Sequence, residues 1–347
     1  MWSMSSRQPQ RQTSLRQADR EQERENCARL GQDIRISENG YNRQWDSDYA
    51  TLISISTTFF PGAQLNQPPA DLILLSSDSV FFYVHTSVLL SSSQNNFNNL
   101  LPLPPSGTSS SSASSSDLVE PDQALLPLTE PSDTLNVLLH TVYNISCAHY
   151  APTLSTLSAA LKALVLYSIP LNTYVAPQTP LFTTLLSQAP AAPLEVYALA
   201  AQYGLEDVAV SASPHLLSYQ LSSLPDELAV QMGPTYLKRL FFLHLGRSEA
   251  LKRLLLPPPH PHAPTQECDF TEQKKLTRAW ALASAYLAWD ARPDMAGSTL
   301  ESALSPLAER LWCDQCRQSL QERVRQLIVQ WSVVKVRFYS SPLVALC

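Results

Sequence analysis

Glycine is scarce in this chain: eight in 347 residues, at positions 31, 40, 62, 107, 204, 233, 246 and 297. No two stand closer than nine residues. That excludes the dinucleotide-binding fingerprint, the Walker A loop, the G-x-S-x-G elbow and the kinase glycine loop, which all need backbone freedom at close spacing. None of the seven histidines precedes a glutamate, so the H-E-x-x-H zinc proteases are excluded too. No apolar run approaches the roughly 18 residues of a membrane span, and no membrane partner is expected. The first 26 residues are rich in Gln and Arg without an apolar stretch, so no secretory signal is read there. The expected compartment is cytoplasmic or nuclear. Six cysteines are too few for a disulfide scaffold. With the common catalytic signatures missing, the expectation is a protein that is not an enzyme.

Charge is sparse and unevenly placed. Only 16% of residues are charged, against about a quarter in ordinary globular chains. Residues 1–45 hold 8 basic and 6 acidic side chains, residues 46–237 hold one basic (Lys162) and 14 acidic, and residues 238–347 hold 15 basic and 10 acidic. Such a split argues for physically distinct halves. An acidic middle repels a phosphate backbone, and the excess of five cations in the last third is too dilute for a nucleic-acid footprint.

Composition and periodicity then divide the chain. Residues 1–45 read as a disordered tail, since Gln, Arg, Ser and Glu cannot offset the entropy of ordering. Residues 46–213 read as an α+β domain and residues 214–347 as an all-α C-terminal domain. A first strand is expected over Thr51–Phe60, and a hairpin from Asp71–Leu75 and Val80–Val84 around a polar turn. A short helix should follow from His85. The hairpin should bury Leu72, Leu74, Phe82 and Val84, with His85 bonding backbone at the strand–helix junction. Eight serines within residues 106–116 mark a low-complexity insertion.

Ser132 or Asp133 should cap a helix with Leu135, Leu138, Leu139 and Val142 on one face. Further helices are expected over Leu154–Leu166, Leu181–Gln188, Leu194–Tyr203 and Tyr236–Leu256. Asp269 with Glu272 and Ser298 with Glu301 read as capping boxes. The last helix, Asp314–Phe338, carries an apolar stripe at Leu320, Val324, Leu327, Trp331, Val334 and Phe338, with Arg323 among the cations placed off it. The stripe reads as bundle core.

Cys313-Asp-Gln-Cys316 is the one constellation with chemistry in it, and three readings compete. A redox pair would need a preceding β-strand, whereas a helix precedes it. A structural zinc would take Cys313 and Cys316 as a hook, Cys268 as third ligand and His260 or His262 as fourth. The plain reading is thiols packed in a helical bundle.

Asp71-Leu-Ile-Leu-Leu75, then Val80-Phe-Phe-Tyr-Val-His85-Thr-Ser-Val-Leu89, resembles the opening of a BTB/POZ domain. Leu128 and the Leu135-x-x-Leu138-Leu139-x-x-x-Tyr143 pattern are similar to that family's later half, and the whole arrangement resembles BTB-domain proteins of mushroom-forming fungi. The resemblance implies a small sheet covered by helices and a non-enzymatic adaptor that recruits a protein partner or forms a homodimer. The surface it implies is the first strand and first helix, here Leu52, Ile53, Val88 and Leu89. Thr86 stands where the family carries Arg or Lys, the partner of the strand aspartate at the dimer interface. The serine insertion replaces the loop by which some members contact a cullin-type ligase, which weighs against cullin binding; a ubiquitin-ligase substrate adaptor is one alternative. A transcription or chromatin regulator using the basic C-terminal helices is the other.

Overall fold

The computed structural model describes residues 54–66, 68–101 and 124–337. The N-terminal tail, the serine insertion, Leu52, Ile53 and Phe338 lie outside the described residues. The architecture is α+β, a four-stranded sheet followed by helices, with the C-terminal third helical.

Four strands, β1 (Ser54–Ile55), β2 (Leu72–Leu75), β3 (Val80–Val84) and β4 (Ala124–Pro127), lie in the order β1-β3-β2-β4. The β2–β3 hairpin pairs Leu72 with Val84 and Leu74 with Phe82, all four at most 2% exposed. Side chains alternate across a pleated strand, so this register sends four large apolar groups to one face. β4 returns parallel to β2, and β1 runs parallel to β3.

The described part of the first strand is only two residues long, shorter than its β-branched composition predicts. Ser56 ends it: its hydroxyl accepts a hydrogen bond from the Phe59 N–H at 3.1 Å. A side chain that captures nearby backbone competes with the ladder. Phe59 is thereby turned into the core, against Phe82 and Tyr143.

Helix α1 (Thr86–Ser92) leaves the hairpin directly. After it, Asn96, Phe97, Asn98 and Asn99 all have positive φ, forming one left-handed turn. Asparagine tolerates that conformation better than most residues. Phe97, the costly member, stacks on Tyr167 at 3.9 Å between ring centroids. Helix α2 (Ser132–Val142) buries its predicted apolar face, but neither Ser132 nor Asp133 caps it. Its cap comes from the β2–β3 turn: the Asp78 carboxylate accepts from the Ser132 N–H at 2.8 Å and from its hydroxyl at 2.6 Å.

Helices α3 (Leu154–Leu166), α4 (Leu171–Tyr174), α5 (Pro180–Ser187), α6 (Pro193–Gln202) and α7 (Glu206–Ala212) complete the first core. Helix α8 (Asp226–Leu255) starts ten residues before the predicted Tyr236 and is broken at Gly233, φ 68°. Glycine reaches that angle without strain, and Pro234 restarts the helix where a missing N–H costs nothing. Met232 and Leu240 of α8 belong to the first core, so that core runs past residue 213, while Leu251 and Leu255 belong to a second, smaller one.

That second core is completed by α9 (Phe270–Trp289), α10 (Gly297–Leu304) and α11 (Asp314–Ser332). Asp269 caps α9 as expected, accepting from the N–H groups of Thr271 and Glu272. The Ser298–Glu301 box does not form, because α10 begins at Gly297 with Ala296 in the capping position, which leaves Ser298 inside the helix. A Cβ on Gly297 would sit 3.3 Å from Ile328, so the helix start is pressed against α11.

Arg323, expected off the apolar stripe, is buried. It lies over Trp280 and donates to the carbonyls of Leu254 and Pro257, the orphan acceptors at the end of α8. Arg247 of α8 returns the arrangement, lying over Trp331 and donating to the carbonyls of Val334 and Lys335 beyond α11. A cation at a helix C-terminus is favoured by the helix dipole. These two arginines fasten α8 and α11 to each other at both ends. Among the described residues no helix is long and apolar enough to cross a membrane.

Candidate metal centre

The segment joining α8 to α9 carries Pro257, Pro258, Pro259, Pro261 and Pro264. Proline fixes φ and lacks an N–H, so this stretch can only be an irregular strap. It ends in a tight turn in which Thr265 N–H donates to the Cys268 carbonyl at 3.0 Å and Cys268 N–H to the Thr265 hydroxyl at 3.1 Å. The turn points the Cys268 thiol into the second core just before α9 starts. Cys313 occupies the N-cap position of α11 and Cys316 lies in its first turn.

His262 and these three thiols converge: their four ligand atoms all lie within 4.8 Å of one another. The Cys268 and Cys316 sulfurs are 3.7 Å apart, and His262 Nε2 lies 3.3 Å from both the Cys313 and Cys316 sulfurs. Zinc–sulfur bonds of about 2.3 Å and zinc–nitrogen bonds of about 2.0–2.1 Å, set tetrahedrally, give edges of about 3.7 and 3.5 Å. Four protein donors at such spacing could hold a metal ion, with Cys268 and Cys316 buried and His262 and Cys313 partly accessible.

The strap also settles the imidazole. His262 Nδ1 is 2.7 Å from the Ala263 carbonyl, which can only accept, so Nδ1 carries the proton and Nε2 presents its lone pair to the sulfurs. A metal-binding histidine needs this support on its far nitrogen. The Cys313 thiol is held down to about 7 chiefly by the Cys316 backbone N–H, assisted by Cys268 and the Gln315 N–H. That is the effect of a helix N-terminus on a thiolate. Burial pushes Cys316 up to about 12 and raises Cys268 as well. The low-dielectric side of the site therefore disfavours bare thiolates, and a bound cation would offset that cost.

The three cysteines singled out from the sequence are thus brought together, Cys268 and Cys316 also packing in the second core. His262 joins them; His260 does not, its carbonyl accepting instead from the Ser319 hydroxyl. Cys147 stands apart, buried in the first core.

The expected interaction surface fares differently. Leu89 is fully buried in the first core and so lines no surface, whereas Val88 is half-buried at its edge. Adjacent helical positions face different directions, so Leu89 is buried fully while Val88 packs at the edge of the core. His85 does not bond backbone with its ring: its Nδ1 lies 2.8 Å from the Tyr143 hydroxyl, which also accepts from the His85 N–H at 2.9 Å. Asp71 accepts from the Thr86 N–H at 2.8 Å.

Comparisons of this chain with protein-family models, with curated proteins and with solved structures find no match.

Proposed function

We propose that this chain is a non-enzymatic adaptor of BTB/POZ type whose C-terminal helical unit is held by a structural zinc at His262, Cys268, Cys313 and Cys316. The observation that carries the reading is the closed donor set. A catalytic zinc keeps one position for water or substrate, whereas a structural zinc takes all four ligands from protein. Here all four come from the chain. Other titratable side chains are spent on structure: His85 on Tyr143, His140 on the Asn136 carbonyl, Tyr167 on Glu130.

The zinc ties the proline strap and the starts of α9 and α11 together. A small core gains most from such a staple, and metal binding then becomes part of its folding free energy. The BTB reading is supported by connectivity. A hairpin runs straight into α1, a later strand returns parallel to the first hairpin strand, and a helix pair follows. The hairpin running into a helix and the small sheet covered by helices are what the resemblance to that family implies.

The adaptor role is tested by the mass of the full chain in solution. Light scattering should give twice the chain mass, and Val88→Asp, a change at the edge of the first core, should return it to a single chain. A stable homodimer would bury on the order of 1,600 Å², so a charge at its edge is costly. A single-chain mass in the unaltered protein would contradict dimerisation through this surface.

A further inference from the structure

At the end of α11 opposite the thiols, a groove of about 630 Å³ opens between α8 and the chain leaving α11. Its lining includes Lys238, Arg239 and Arg247 from one side, Lys335 and Arg337 from the other, and no acidic side chain. Arg239 is paired with Glu206. Among the described residues, no carboxylate comes within ion-pair distance of Lys238 or Arg337. Arg247 is 6% exposed and spends its hydrogen bonds on neutral carbonyls. Asp294 acts on it only electrostatically, with no ion pair between them, so the buried cation still supplies positive potential under the groove.

The lining is also apolar between its charges. Phe242, 62% exposed, lies beneath Lys238, with Leu243 and Val334 beside it. Gly246 supplies a second observation. It sits inside α8, a Cβ there would meet nothing within 4 Å, and its φ needs no glycine. Alanine would favour the helix, so the fold has no use for glycine at this point. What glycine does is keep the groove floor at backbone level, where another chain can approach closely.

We propose that this groove binds a short acidic segment of a partner protein. Its carboxylates meet Lys238 and Arg337, its apolar side chains rest on Phe242 and Val334, and its backbone passes over Gly246. The volume suits a few residues of peptide, and cations interleaved with apolar groups match an acidic segment interleaved with Leu or Phe. A nucleic-acid backbone fits less well, since Glu206 and Asp294 act on Tyr236, Arg239 and Arg247 at the borders of this short cationic strip and would repel a continuous run of phosphates. This assigns a partner class within the adaptor reading, yet it fails separately: a chain that never dimerises through Val88 would still bind here.

The full chain can be panned against a random peptide library displayed on phage, with the Lys238→Glu/Arg337→Glu protein as counter-selection. Both side chains are exposed, and circular dichroism checks that the helices survive. The expected result is selected peptides rich in Asp and Glu interleaved with Leu, Phe or Trp. They should bind roughly tenfold or more weakly to the double variant and to Gly246→Met, which fills the groove. Peptides without acidic bias, equal binding to the charge-reversed protein, or no selected peptide would overturn the proposal. So would displacement of the selected peptides by labelled oligothymidylate at concentrations below those at which the free peptides compete, since the groove would then prefer nucleic acid.

Discussion

At the scale of single residues, the described polar groups of the interior are held by specific partners, and the exceptions carry consequences. His140 and His244 are buried, and the Nε2 atom of each has no hydrogen-bond partner. Burial lowers the pKa of both below the usual 6.5, with His149 adding to the effect at His140 and Asp294 opposing it at His244. The neutral ring is thus favoured in the folded state. Stability is full above pH 6.5 and declines as pH falls below it, because the unfolded chain then binds protons that the native rings refuse. The slope reaches at most about 1.4 kcal/mol per pH unit for each histidine. Urea midpoints measured at pH 8 and pH 5.5 should therefore differ, and a His140→Asn/His244→Asn variant should lose part of that difference, the rest following proton competition for the thiolate ligands. Unchanged sensitivity in the variant would place the acid response elsewhere. The same scale shows why the choice between His260 and His262 is not legible in the sequence. Both sit in one proline strap, and only its folded path, with Ala263 accepting from Nδ1, turns the ring of His262 to the thiols.

At the scale of elements, hydrophobic spacing read well and capping read unevenly. The hairpin, the Leu154–Leu166 helix and the buried faces of α2 and α11 follow from apolar periodicity alone, because burying those stripes is what places the elements. Asp269 caps α9 from the residue adjoining the helix, as local sequence can reveal. The start of α2 is instead satisfied by Asp78, 54 residues away, and no local rule can find such a partner. Arg323 escaped for a related reason: its place on the buried face is explained by carbonyls at the end of another helix and by Trp280. Removing a capping side chain costs about 0.5–2 kcal/mol. Asp78→Ala should therefore lower stability by about 1 kcal/mol in urea unfolding, whereas Asp133→Ala, at a predicted capping position that makes no cap, should cost less. Equal losses in the two variants would contradict the long-range cap.

At the scale of the whole molecule, the described residues form two cores that share helix α8. The split in charge argued for distinct halves, whereas the change of core falls inside a helix, where composition has no marker. The convergence of Cys268 with Cys313 and Cys316 was half legible. Paired cysteines at that spacing suggest a hook, but the third thiol lies 45 residues before Cys313 and meets it only because α9 and α11 both begin at the same end of the second core. The central claim is that this meeting point holds zinc and that the second core depends on it. The most direct test is a native mass spectrum of the full chain purified without chelator, beside His262→Ala and His260→Ala. The account predicts one added mass of about 65 Da per chain, the mass of a single zinc, retained in His260→Ala, lost in His262→Ala and lost on chelation together with helical signal. A chain that carries no zinc even after reconstitution, or that keeps it without His262, would contradict the account.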